Sequence, residues 1–155
     1  MTAKGDDPGG NDPFDLKRFI TAQEGIYGRV LAELKSGRKR THWMWFIFPQ
    51  IEGLGHSPTS IHYAIKSIAE ARRYLGHPVL GGRLTECSET LLALEGPTAS
   101  EIFGYPDDMK LKSSMTLFAA VVEDPRSAFI RVLEKYYHGE PDARTLRLLE
   151  ELKDP

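Results

Sequence analysis

Helix-capping signatures recur along this chain at helix-length intervals, and they constrain its fold more than any other feature. Asp12-Pro13 sets a capping residue before a proline at the first helical position, and Phe14, Phe19 and Ile20 supply an apolar face. After Gly25 the pattern resumes over 26–36, with Tyr27, Val30, Leu31 and Leu34 on one side and Gly37 as the stop. Ser67 followed by Glu70 reads as a capping box for 68–75. His77-Pro78 opens a longer segment in which Leu80, Leu84, Cys87, Leu91 and Leu94 fall on one stripe, and Gly96-Pro97 ends it. Thr98 with Glu101 is a second capping box, on a short helix that stops at Gly104. A helix over 107–123 follows. Asp124-Pro125 opens another with Phe129, Leu133 and Tyr136 inward, Gly139 ends it, and Asp142 begins a last helix carrying Leu146 and Leu149. Strand-like alternation is nearly absent. The expectation is an all-α fold, a compact single-domain bundle of about seven helices.

One segment departs from this pattern. HWMWFIF, residues 42–48, is dense in aromatics and is closed by Pro49. Over so few residues periodicity does not separate a buried strand from a short helix. An isolated strand has no partner here, so a short buried helix or an extended plug is expected.

With 155 residues the chain is long enough for one core. Residues 1–12 are polar and rich in Gly, Asp and Pro, and read as a disordered lead-in to a helical domain over 13–155. Twenty basic against twenty-two acidic side chains argue against a general nucleic-acid binder, which carries a basic excess. The local exception is KSGRKR, residues 35–40: either cations dressing a helix C-terminus or a patch that steers anions. A single cysteine, Cys87, leaves no internal disulfide and no Cys/His zinc pattern, and fits a reducing compartment. With no signal-peptide pattern and no membrane-length apolar run, the expected location is the cytoplasm, without membrane or cofactor.

Two stretches carry the chemistry. The first is THWMWFIFPQIEGLGHSPTS, residues 41–60. Trp43 and Trp45, two apart, cannot share one helical face, so one belongs beside a cleft. Gly53 and Gly55 let backbone amides approach a ligand, and Ser57-Pro58 reads as the cap and first position of a helix whose free amides suit an anion. Together with His42 and Gln50, these residues could hold a planar ring bearing a phosphorylated sugar. The plainer reading makes the aromatics core and the glycines turns.

The second is IFGYPDDMKLKSSMTLF, residues 102–118. On a helix Asp107, Lys110, Ser114, Leu117 and Val121 share a face, stepping by three and four. An acid, an ammonium and a hydroxyl are thereby grouped at the helix start, where carboxylate and lysine can tune one another for acid–base work or charge pairing. In the structural reading Asp107 caps the helix, Asp108 pairs with Lys112, and Ser114 bonds back to the Lys110 carbonyl. The five histidines show no metal-ligand spacing, and Cys87 reads as an inert core thiol. Arg83 and Glu86 either face solvent or line a cleft.

HWMWFIFPQ at 42–50, GLGHSPTS at 53–60, YAI at 63–65, EARRYLGHPVLGGRL at 70–84 and FGYPDDMKLKSSMTLF at 103–118 resemble a bacterial family called domain of unknown function 1810. That resemblance spans nearly the whole chain and implies a compact all-helical fold with no established activity. More distantly, Ala71, Tyr74, Pro78, Leu80, Ile102, Phe103, Gly104 and Asp107 resemble elements of the YbiA-like proteins, with Phe103 where that group has tryptophan. Those proteins act on ribose–base linkages, which would make Asp107 catalytic.

Three functions follow as expectations. In the first, an N-glycosidase or ADP-ribose-directed hydrolase, Asp107 and Lys110 are catalytic, and His42, Trp43, Trp45, Gln50, Gly53, Gly55, Ser57, Ser113 and Ser114 bind the ligand. The second is a non-catalytic nucleotide-binding or small-molecule-binding module using the same cleft. The third is a protein-interaction domain.

Overall fold

The computed structural model describes residues 12–153, and the proposed N-terminal lead-in lies outside them except for Asp12. Ten helices are found among the described residues, more than the seven or so expected, and the domain is all-helical. The surplus comes from pieces of one turn or little more, α3 (Met44–Ile47) and α4 (Pro58–Tyr63), whereas the equally short α7 (Ala99–Phe103) is announced by its capping box. Such pieces are too short for a hydrophobic period to register. The others are α1 (Lys17–Gln23), α2 (Tyr27–Lys35), α5 (Ile68–Gly76), α6 (Leu80–Ala93), α8 (Asp107–Val122), α9 (Ala128–Tyr137) and α10 (Ala143–Lys153). The aromatic segment is therefore a one-turn helix, and among the described residues the nearest thing to sheet is a single parallel bridge between Ile51 and Ile65.

Capping chemistry sets most of these boundaries. Asp12 accepts the Leu16 and Lys17 amides ahead of α1. Thr98 and Glu101 close a reciprocal box on α7. Asp142 takes the amide and hydroxyl of Thr145. Ser67 caps α5, but the Glu70 carboxylate turns to the Lys66 amide and to Arg18. At α9 the cap is Ser127, and Asp124 instead accepts the Arg126 amide.

α8 runs through the middle and packs against α9, α5, α10 and α7. Residues 113–119 are buried without a break, so this helix has no solvent face over two turns and behaves as a core element. Phe118 meets Tyr74 of α5 and Phe129 of α9, with ring centroids 5.5 and 5.9 Å apart. The first turn of α8 emerges from this core beside α3 and α7, and there the functional candidates collect.

Two cations hold the frame. Arg18 donates to the His62, Phe14 and Ala64 carbonyls and pairs with buried Glu70 at 2.6 Å, tying α1 to the α4–α5 region. Lys135 donates to the Leu91, Leu92 and Leu94 carbonyls, closing the end of α6 on α9.

Candidate functional site around the first turn of α8

The site begins with an acid that the sequence did not single out. Glu33, buried on α2, accepts the Arg40 and Thr41 amides, the Thr41 hydroxyl at 2.7 Å and the Trp43 indole N–H at 2.9 Å. Burial pushes the carboxyl upward, but these four donors outweigh it and bring Glu33 down to about 2. Glu33 thereby organises the strap 38–43 and seats Trp43 among Phe48 and Phe103, with centroids 6.3 and 6.4 Å away.

That strap delivers Lys39 to α8. Its amide donates to the Ile102 carbonyl at 2.8 Å, and its Nζ lies 5.2 Å from the centre of the Trp43 ring and meets Asp107 Oδ2 at 2.8 Å. The Lys39 side chain is only 7% exposed, and that of Asp107 21%. Asp107 Oδ1 faces Lys110 at the longer distance of 3.6 Å. Lys110 Nζ lies 5.0 Å from the centre of the Trp45 ring. The result is a partly covered cluster of two ammoniums and one carboxylate, floored by two indoles. Asp107 does not cap the helix, because its oxygens are committed to the lysines.

The structure divides the remaining candidates. Trp43 is buried and Trp45 half-buried, so the two-residue spacing does separate a core indole from a cleft indole. Trp45 also borders a cleft with Gln50, Gly53, Gly55, Ser60 and Tyr63, of about 20 Å³. That is room for about one water and far below the few hundred Å³ a nucleotide needs. Gly53, at φ +110°, serves a turn, and a Cβ there would press on Leu148 of α10. Gly55 is required because a Cβ would stand 2.6 Å from that of Ser60. Ser57 caps α4 and shares its hydroxyl with Ser60. The glycine loop is thus packed against α4 and α10, and Trp45 borders both its cleft and the α8 cluster.

Ser113 bonds back to the Met109 carbonyl. Ser114 Oγ, fully buried, has no hydrogen-bond partner, so the expected bond back to Lys110 is not made. His42 is exposed, and no ring contact or hydrogen bond carries it to the cluster. Asp108 accepts the Met109 amide, and Lys112 pairs instead with Glu140. Cys87 is buried, and burial above all pushes its thiol up to about 12, so it is inert. Arg83 and Glu86 do line a shallow open cleft. Arg83 lies 4.6 Å over the Tyr27 ring and donates to Gln23, and Glu86 accepts the Tyr27 hydroxyl at 2.5 Å. Sequence reasoning missed Lys39 and Glu33. The only signal for Lys39 was the local excess of cations, and Glu33 looked like an ordinary helix acid.

Fold and site together define a single all-helical domain with a partly covered lysine–carboxylate–indole cluster at the start of its central helix. Among the described residues no group of side chains could hold a metal ion, and no helix is long and apolar enough to cross a membrane. The chain matches the family described as "Protein of unknown function (DUF1810)" over residues 13–149, and it belongs to that family. It is similar to the conserved hypothetical protein Rv1873 from Mycobacterium tuberculosis, whose crystal structure was determined at 1.38 Å. The two share 52% identity with a TM-score of 0.87, over 90% of this chain and 99% of that one. Comparison with curated proteins gives no match. None of these matches extends to the YbiA-like proteins.

Proposed function

We propose that this chain binds a small anionic molecule carrying a planar ring, of the class of phosphorylated nucleosides and ADP-ribose derivatives, on the Trp45–Lys110–Asp107 face. The observation that carries this reading is the position of Lys110. Its ammonium lies over the Trp45 ring at 5.0 Å and beside Asp107 at 3.6 Å, loosely held by both. A flat heterocycle can take the ammonium's place on the indole while Lys110 turns to a phosphate. Lys39 fixes Asp107 Oδ2 at 2.8 Å, which leaves Lys110, at 3.6 Å, as the more loosely held cation to meet an anion. Ribose hydroxyls find an acceptor in Asp107 Oδ1.

A second reading is hydrolysis of a ribosyl linkage at the same place. It is favoured by the uneven hold on Asp107, whose Oδ2 is locked at 2.8 Å while Oδ1 stays loosely paired. A carboxylate so held can stabilise a developing oxocarbenium ion or orient a water.

Both readings meet one experiment. The protein is titrated with ADP-ribose, AMP, adenosine and ribose 5-phosphate while indole fluorescence and thermal unfolding are followed, and the mixtures are assayed for released base or ribose. Binding predicts saturable stabilisation by AMP or ADP-ribose, with affinity falling roughly ten- to a hundredfold in Trp45→Ala, the cost of one lost base stack. No stabilisation by any of the four removes the binding proposal. Hydrolysis predicts released product that Asp107→Asn abolishes while ligand binding persists. Binding without product removes the second reading alone.

A further inference from the structure

A second cavity lies between α5, α8 and α10 and has a volume of about 320 Å³. Its walls are apolar: Ile68 from α5, Val121 from α8, Leu146 and Leu149 from α10. A volume near 300 Å³ is the lower end of small-ligand pockets. Two charged side chains on its rim have no partner among the described residues: neither Arg72 of α5 nor Glu123 at the end of α8 makes an ion pair or hydrogen bond there. The other two rim charges, Glu150 and Lys153, pair with one another at 3.5 Å.

We propose that this cavity binds an apolar α-amino acid, or a zwitterion of the same form, with its side chain between α8 and α10. The carboxylate is met by Arg72, whose planar guanidinium suits a two-oxygen acceptor. The ammonium is met by Glu123 and by the last carbonyls of α8. Those carbonyls carry the negative end of the dipole of a sixteen-residue helix that finishes at this rim. A fatty acid would satisfy Arg72 and leave Glu123 facing it as a like charge. An amine would do the reverse. Only a ligand bearing both charges, with an apolar group beside them, matches all three features of the cavity. None of this depends on the α8 first-turn site, and the ligand class is different.

The test uses the whole chain and three related probes: L-phenylalanine, hydrocinnamate, which lacks the ammonium, and phenethylamine, which lacks the carboxylate. Binding is followed by calorimetry and by amide shifts in ¹⁵N-labelled protein. Phenylalanine is expected to bind saturably, with shifts confined to residues 68–72, 119–123 and 146–153. Each singly charged analogue is expected to bind at least about threefold more weakly, as is phenylalanine with Arg72→Met or with Glu123→Gln, the scale of one exposed charge pair. Both positions are exposed, so these variants should fold as the parent does, and their thermal unfolding checks this. The proposal is overturned if phenylalanine shows no saturable binding at millimolar concentration. It is equally overturned if hydrocinnamate or phenethylamine binds as tightly, or if the shifts fall outside those three segments.

Discussion

Lys39 and Asp107 meet at 2.8 Å across the seam between the strap that follows α2 and the first turn of α8, with the lysine ammonium over the Trp43 ring. The seam is held from both sides, because the Lys39 amide also donates to the Ile102 carbonyl at the end of α7. Removing one charge leaves the other covered and unpaired. Lys39→Met should therefore destabilise the protein by about 1–3 kcal/mol, below the roughly 3–5 kcal/mol of a wholly buried pair because Asp107 keeps some water and Lys110. Urea unfolding of Lys39→Met, Asp107→Asn and the double variant checks this. The double variant should recover a good part of the loss. Strictly additive losses would mean the pair is not coupled.

Glu33 makes stability depend on acid. Its folded carboxyl sits near 2, below the unfolded value of about 4.5. The ionised group therefore contributes fully above about 4.5, and that contribution is lost as the pH falls toward 2. A shift of this size corresponds to about 3 kcal/mol, lost across that window as the strap 38–43 lets go of Trp43. Urea midpoints between pH 6 and pH 2.5 should fall more steeply in the parent than in Glu33→Gln, which starts less stable at neutral pH. Equal slopes for the two proteins would remove Glu33 as the cause.

How much of this could be read from sequence depends on whether the chemistry is local. The caps of α1, α7 and α10 were legible because Asp12, Thr98 with Glu101, and Asp142 act within a few residues of themselves. The division of labour between Trp43 and Trp45 was legible from their spacing. The extents of α3 and α4 were not, since four to six residues do not establish a period. Nor was the role of Gly55, which depends on Ser60 standing against it. Lys39 was hidden among four neighbouring cations, because which of them turns inward is decided by where α8 begins, far along the chain. Asp107 and Lys110 were correctly placed on one face, but the third member of their cluster belongs to long-range packing.

Gly81 and Gly82 are adjacent in α6 and should respond in opposite senses. A Cβ on Gly81 would stand 2.0 Å from the Leu75 carbonyl oxygen, a backbone atom that cannot step aside, whereas a Cβ on Gly82 would meet nothing. Gly81→Ala should disrupt the α5–α6 junction and cost at least about 3 kcal/mol, the scale of severe overpacking. Gly82→Ala should stabilise the domain by up to about 1 kcal/mol through helix propensity alone. Thermal unfolding of the two variants side by side decides the matter, and similar melting temperatures would contradict the packing described.

Ser114 offers the last test, because its hydroxyl is fully buried on α8 with no partner while its neighbour Ser113 bonds back to Met109. A buried hydroxyl with no hydrogen bond is a standing penalty of roughly 1–3 kcal/mol, and alanine removes it at the cost of only a very small void. Ser114→Ala should therefore raise stability by about 1 kcal/mol, and Ser113→Ala should be neutral or mildly destabilising. The same variant bears on the α8 site, since Ser114 lies on the face that carries Asp107 and Lys110, one turn further into the core. If the hydroxyl serves a ligand, Ser114→Ala will melt at a higher temperature and yet gain less from added AMP or ADP-ribose than the parent does. A variant less stable than the parent would mean that an ordered water already satisfies Ser114, and the hydroxyl would then belong to the fold.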